Sequence, residues 1–322
     1  MSRNAKLFSI SLACAFVAAI ATFLYASFFA APQDSAEPER FIVTTTATKT
    51  DIIAKLETDG FIKSAKAFDL ISPETIQPGG YKIEKDSSAF TIARALRSEP
   101  YMKWVVIPEG LRKEEIAVLM AKNLGWSDEQ VKTFLTEDTN AAPETREGVY
   151  FPDTYLIPTD ESTSDVAKRL NRRFNEVFAP YAKEAAAQNI KWTTVINIAS
   201  LVQREAAGKN DMPLIAGVIW NRLDVNMKLD IDATVQYARG DVGQGWWAPL
   251  ATAKNSVQSP YNTYNNKGLP PGPIANPGLE AIRAVLNPKK TDCLFYLHDK
   301  SGAIYCAKTF EEHKENIEKY LR

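Results

Sequence analysis

The chain has 322 residues, 45% of them apolar and 24% charged, with a net charge of −1. That length exceeds one average domain, and the apolar fraction is ample for real hydrophobic cores. So even a charge balance excludes the broad basic face that nucleic-acid binding demands, and no nucleic-acid partner is expected.

The N-terminus sets the compartment. Residues 7–31, LFSISLACAFVAAIATFLYASFFAA, carry no charge. A bilayer core takes about 20 such residues, so this stretch is long enough to span, leaving residues 1–6 as a short tail. Arg3 and Lys6 precede it, and Asp34, Glu37 and Glu39 come after it. The positive-inside rule then puts the tail in the cytoplasm and the rest of the chain outside, as in a single-pass inner-membrane protein. A cleaved signal peptide is the competing reading, because small residues stand at 26–27 and 30–31. The apolar run is longer than the usual signal core of roughly 7–15 residues, which favours an uncleaved anchor. Residues 32–40, PQDSAEPER, are acidic and poor in apolar groups, as a linker would be.

Next comes an internal repeat. Laid without gaps, residues 42–60 match 105–123, with Val43/Val106, Lys49/Arg112, Ile53/Ile116, Ala54/Ala117 and Leu56/Leu119 in register. Each copy reads as a short strand, a turn and a helix. Between them, residues 81–83 suggest a strand, and Ser87 or Ser88 caps a helix through Leu96. Small strand–helix repeats of this kind, over residues 41–140, resemble LysM-type modules. Glycan binding and simple spacing both remain open for them.

From residue 147 the texture changes, opening a second region, 147–322, which is mainly helical with irregular loops. EGVYFPDTYLIP (147–158) reads as an apolar strand. Helices are expected over 164–179 and 181–188, with Val166, Leu170, Phe174, Val177 and Phe178 on one face of the first. TTVINIASLVQREAAG (193–208) reads as a helix capped by Thr193 or Thr194 and stopped by Gly208. Val195, Ile198, Ala199 and Val202 form its core stripe, and Ile196 and Leu201 widen it until the helix is apolar almost all round, hence buried. Glu205 sits in the last turn beside that stripe. A carboxylate there is costly unless paired or neutral, and burial raises its pKa toward the range of a general acid. A salt bridge to Arg222 is the plainer alternative.

The helix expected over 212–223 carries Asn221 and Arg222 at its end, where they can point back toward Glu205. Beyond LDIDATVQYARG (229–240) lies SPYNTYNNKGLPPGPIANPG (259–278), which is too irregular for regular structure and too apolar for disorder. It reads as an ordered loop lining a groove, with amides and hydroxyls suited to sugars and with Tyr261 and Tyr264 able to stack on rings. Trp246 and Trp247 could stack as well, or form a flap of no catalytic role. Cys293 and Cys306 flank Asp299–Gly302 in a β-hairpin, where a disulfide is possible in an oxidising compartment. Cys14 falls in the apolar segment. His298 and His313 are the sole histidines, so a metal site is not expected.

The blocks ASLVQREA, VIWNRL, LDIDATVQY and SPYNTYNNKGLPPGPIANPG stand in an order and spacing that resemble the YceG-like family of endolytic murein transglycosylases. EGVYFPDTY resembles the family's opening motif. The repeats resemble its LysM-like N-terminal module, and the hairpin with a helix over 309–321 resembles its C-terminal end. The resemblance implies an α+β fold with an N-terminal transmembrane helix. It implies Glu205 as the catalytic residue, where many members also carry an acid two positions earlier and this chain has Gln203. It further implies binding roles for Asn221, Arg222, Asp232, Thr234, Tyr237, Tyr261, Asn262, Thr263 and Tyr264.

The implied reaction cuts the β-1,4 bond between N-acetylmuramic acid and N-acetylglucosamine of nascent glycan strands, leaving 1,6-anhydro ends. It uses no metal and no organic cofactor, and peptidoglycan synthases are implied partners. Ordinary glycosidases use two carboxylates roughly 5–10 Å apart, and here only Asp230 and Asp232 could supply the second. A lysozyme-like hydrolase, or a glycan-binding scaffold without catalysis, are the alternative readings.

Overall fold

The computed structural model describes residues 3–139, 147–250 and 254–321. It mixes helix and sheet, and the chain divides into two compact units. One comprises residues 1–105 and 155–160; the other comprises 106–154 and 161–322. The region 41–140 therefore contributes to both.

The first unit begins with α1 (Arg3–Phe28), continues through β1 (Glu39–Val43), α2 (Lys49–Thr58), α3 (Ala65–Asp69), β2 (Gly79–Ile83) and α4 (Ala89–Ala95), and takes in most of β3 (Met102–Val106) and β4 (Thr154–Pro158). The strands form one sheet in the order β1-β2-β3-β4, with β1 antiparallel to β2 and β2 to β3. Thr48 caps α2 and Ser88 caps α4, each through its hydroxyl. Phe41, Leu56, Phe68 and Ile92 fill the core under the sheet.

α1 contains a stretch, Ile10–Phe28, long and apolar enough to cross a membrane. The chain leaving this helix is packed and hydrogen-bonded. Lys63 Nζ donates to the Ala26 carbonyl at 2.9 Å, supplying a cation to the helix C-terminus. The Ala89 amide donates to the Phe29 carbonyl at 2.9 Å, and Gln33 N–H to Lys85 O at 3.2 Å. Phe29 stacks on Phe90, with ring centroids 5.2 Å apart.

The second unit contains α5 (Lys113–Leu124), α6 (Asp128–Thr133), α7 (Thr163–Ala187), α8 (Trp192–Glu205), α9 (Met212–Asp224), α10 (Asp232–Arg239), α11 (Leu279–Leu286), the hairpin β5 (Phe295–His298) and β6 (Ile304–Ala307), and α12 (Phe310–Tyr320). The repeat is thus local in form. Its second helix, α5, belongs to this unit and starts one position later than α2, because Arg112 is an N-cap where Lys49 is already helical.

Other expectations need correction. α7 runs unbroken through Pro180, where two helices were expected. Pro removes one backbone donor and kinks more often than it stops a helix whose buried stripe continues, here from Val166 through Phe178 to Ala185. α8 starts at Trp192, behind Lys191 rather than behind either threonine, and ends at Glu205 rather than at Gly208. Of the strand expected over 147–158, only β4 forms; the Tyr150 amide is instead taken by the side chain of Asn276 at 2.8 Å.

The hairpin register sets Tyr296 opposite Cys306 and His298 opposite Ile304. Cys293, lying just before β5, is disulfide-bonded to Cys306, with Cα atoms 5.8 Å apart. Replacing both cysteines by Ser is expected to cost the second unit about 3 kcal/mol, the loop-closure contribution of a short cross-link. Urea unfolding followed by circular dichroism checks this; an unchanged midpoint would mean that the hairpin's other bonds suffice.

Candidate active site

α8 is the axis of the second unit. Residues 195–202 are all buried, packed against α7, α9, α10 and α11. Three polar side chains on one face of it hold the irregular loop that precedes α11. Asn197 Nδ2 donates to Pro270 O at 2.8 Å, Ser200 Oγ accepts from Ile274 N–H at 3.0 Å, and Gln203 Oε1 accepts from Gly278 N–H at 2.9 Å. Spacing by three residues puts them on a common face. Gln203 acts here only as an acceptor, a role that a carboxylate would fill equally well.

Glu205 ends the helix on a different face. Tyr296 O–H donates to its Oε2 at 2.8 Å. Burial, with a smaller contribution from the charge of Asp232, pushes the Glu205 carboxyl above its ordinary pKa; the Tyr296 hydrogen bond, His298 and Arg204 act the other way. The residue is nonetheless half-buried rather than sealed off. Dense protein surroundings with one open side are what a proton donor needs.

The alternative weighed for Glu205, a salt bridge to Arg222, does not form. Arg222 donates to the carbonyls of Leu294 at 2.5 Å and Leu229 at 2.6 Å, and lies 3.9 Å from Asp230. Asn221 likewise donates to Thr291 O at 2.8 Å and Cys293 O at 3.0 Å. Both residues brace the chain entering β5 instead of turning toward Glu205. Thr234 and Thr263 are buried and share a hydrogen bond of 2.9 Å, and Thr263 Oγ1 also accepts from Ile231 N–H at 2.9 Å. Asn262, fully buried, donates to Lys254 O and Val257 O. These groups shape the loop from inside.

Asp232 stands at the first turn of α10. Lys254 Nζ lies 2.7 Å from its Oδ1, and Tyr264 O–H donates to the same oxygen at 2.5 Å. Burial and then Asp232 hold the Tyr264 phenol above its usual pKa, so it stays a donor. Tyr237 and Tyr261 face each other with ring centroids 4.9 Å apart. The Arg112 guanidinium lies 4.3 Å from both the Tyr237 and Trp246 rings, and that of Arg204 lies 3.8 Å from the Trp247 ring. Trp247 Nε1 donates to Glu115 at 2.9 Å. Each indole thus has one ring face against a guanidinium.

Several residues were not anticipated. Tyr296 and His298 share one face of β5; His298 Nε2 lies 2.6 Å from Asp211 Oδ2, and Asp211 also accepts from Ala207 and Gly208 N–H. Strand alternation in the hairpin was the available signal. Lys254 carried none. Beside this corner, Ala207, Asn210, Asp211, Ser301 and Ile304 line a cleft of about 350 Å³. Among the described residues, no group of three His, Cys, Asp or Glu is arranged to hold a metal ion.

A second buried carboxyl, Glu147, accepts from Lys113 N–H at 3.1 Å and Asn276 Nδ2 at 2.6 Å. The neighbouring Gly148 has φ +84°, and a Cβ there would meet Ile196 and Pro273, which explains the Glu-Gly pair opening the segment.

A model of the YceG-like family matches residues 41–319. The chain belongs to the YceG-like family. It is 32% identical to an endolytic murein transglycosylase of Bacillus subtilis, over 84% of this chain and 81% of that protein. It is 28% identical to a Streptococcus pneumoniae protein of the same name, again over 84% of this chain but over 56% of the streptococcal one. The crystal structure of a YceG-like protein from Listeria monocytogenes superposes with a TM-score of 0.61 at 27% identity, covering 87% of this chain and 99% of the other.

Within this YceG-like chain, burial raises the Glu147 pKa to about 8. Between its unfolded value near 4.5 and about 8, the folded state binds the proton more tightly, so this group makes stability fall as pH rises. Glu147→Gln removes that slope. The variant is expected to gain thermal midpoint relative to wild type between pH 5 and about 9, read by calorimetry; parallel pH curves would contradict it.

Proposed function

We propose that this chain is a membrane-anchored endolytic murein transglycosylase acting on nascent peptidoglycan outside the cytoplasm, with Glu205 as its general acid and base. Membership of the family and the names of its relatives support the activity. The observation that carries the residue assignment is the Glu205 carboxyl, raised by burial at the end of a buried helix, in a residue half-buried rather than sealed off. The apolar helix α1 supports anchoring by a single span, and the charges around it support an exported second unit. Residues 41–140 are the proposed LysM-like module, and peptidoglycan synthases are the proposed protein partners.

In the proposed step, Glu205 gives its proton to the glycosidic oxygen between N-acetylmuramic acid and N-acetylglucosamine. The C1–O bond breaks and the leaving sugar departs with that proton. The muramyl C6 hydroxyl attacks C1 and returns its own proton to Glu205. No water is consumed, and the acid is restored within the cycle. The candidate binding residues divide in this scheme: Asp232 and Tyr264, which interact electrostatically with Glu205, stand on the reaction side; Tyr237 and Tyr261 pack on each other beside Arg112; and Asn221, Arg222, Thr234, Asn262 and Thr263 hold the surrounding chain in shape.

One observation favours a second reading. Asp232 is near enough for its charge to act on Glu205, so it could serve as the second carboxylate of a hydrolase. Both of its oxygens are already engaged, Oδ1 by Lys254 and Tyr264 and Oδ2 by Lys254 at 2.9 Å, which argues against a free base there. Mass spectrometry of purified glycan strands digested by the full-length protein in detergent separates the two. Anhydro-muramyl ends are expected, and reducing ends that take up oxygen from labelled water would establish the hydrolase. Glu205→Gln is expected to lower the rate by at least about 10³-fold with the fold intact, because the amide keeps the shape but has no proton to give. A variant that retains activity would remove Glu205 from the mechanism.

A further inference from the structure

We propose that Tyr296 is a positioning residue: its hydroxyl fixes Oε2 of Glu205 as the accepting oxygen, so that the transferable proton rides on Oε1. The inference rests on the reading of Glu205 as the acid. A carboxylic acid has two oxygens and one proton, and left alone it exchanges which oxygen carries it. A phenol donating to Oε2 at 2.8 Å settles that choice. When the proton has left, the same bond becomes charge-assisted and favours the anion that must then accept the C6 hydroxyl proton.

The strand that brings Tyr296 is held for this purpose at several points. Asn221 and Arg222 of α9 grip the carbonyls of Thr291, Cys293 and Leu294 just before β5. The disulfide ties Cys293 to Cys306. Two residues past Tyr296, His298 pairs with Asp211, which also accepts the amides of Ala207 and Gly208 immediately beyond Glu205. β5 is therefore held to α9 upstream of Tyr296 and, through Asp211, to the chain leaving α8 downstream of it.

The other charged or titratable groups that interact with Glu205 include Asp232 from α10, paired with Lys254; Tyr264 from the irregular loop, bonded to Asp232; Arg204 from α8, over Trp247; Arg222 from α9, bonded to carbonyls; and His298 from β5, paired with Asp211. Burial and the Glu205 carboxylate hold the Tyr296 phenol well above its ordinary pKa, so it remains a donor throughout.

The test compares the full-length wild type, Tyr296→Phe and Glu205→Gln on purified glycan strands, with Tyr305→Phe as hairpin control. Tyr305 donates to Asp299, away from Glu205, and its variant is expected to behave as wild type. Tyr296→Phe is expected to lower kcat by about 10–100-fold with little change in KM. It is also expected to move the alkaline limb of the pH profile to higher pH by about one unit, since losing a donor to the anion raises the acid's pKa. Difluorotyrosine at position 296, a stronger donor that keeps the fold, is expected to move the same limb to lower pH. A limb that stays fixed in both proteins, while Glu205→Gln is inactive, overturns the positioning role and leaves Glu205 as the acid. Full activity in Glu205→Gln overturns the acid reading and this inference with it.

Discussion

The second unit depends on the way one buried helix supplies hydrogen bonds to an irregular chain segment that lies in no helix or strand. Residues 269–278 contain several prolines and lie in no strand; Asn276 exchanges backbone bonds with Gly110 and Leu111, and other backbone groups of the segment are met by side chains. Asn197, Ser200 and Gln203 meet them at Pro270, Ile274 and Gly278. The same helix is buried against its neighbours along residues 195–202. Both sides of α8 are thus committed, and Glu205 stands at its end.

Much of this was legible in sequence, for identifiable reasons. α8, α9, the hairpin and the last helix follow from periodicity and turn chemistry, which are local. What failed was the destination of polar side chains. Asn221 and Arg222 read as groups facing Glu205, but the unpartnered carbonyls at 291–294 claim them, and nothing near residue 221 in the chain announces those carbonyls. Thr234, Asn262 and Thr263 were singled out as binding groups, yet their bonds run inward to hold a loop. Tyr296 was overlooked because a tyrosine in a hairpin looks like packing; its partner lies far away in sequence. The proline at 180 misled through an average tendency that a continuous apolar stripe overrode.

Glu147 and Glu205 show that burial alone does not mark a reactive acid. Burial raises both. Glu147 spends its oxygens on the Lys113 amide and Asn276 and is shut away from solvent, so it fastens α5 to the loop at 276. Glu205 has one oxygen bonded to Tyr296 and is half-buried rather than sealed off. The difference between a fastening and a reagent is access.

The junction after α1 has a mechanical consequence. A helix that ended in a floppy tether would let its cargo swivel at will. Here the last carbonyls are gripped by Lys63, and Phe29 is wedged against Phe90 with its own carbonyl claimed by Ala89. The neck is stiff. Under the proposed anchoring, a tilt of this helix would be passed on to the rest of the first unit, to which it is bonded.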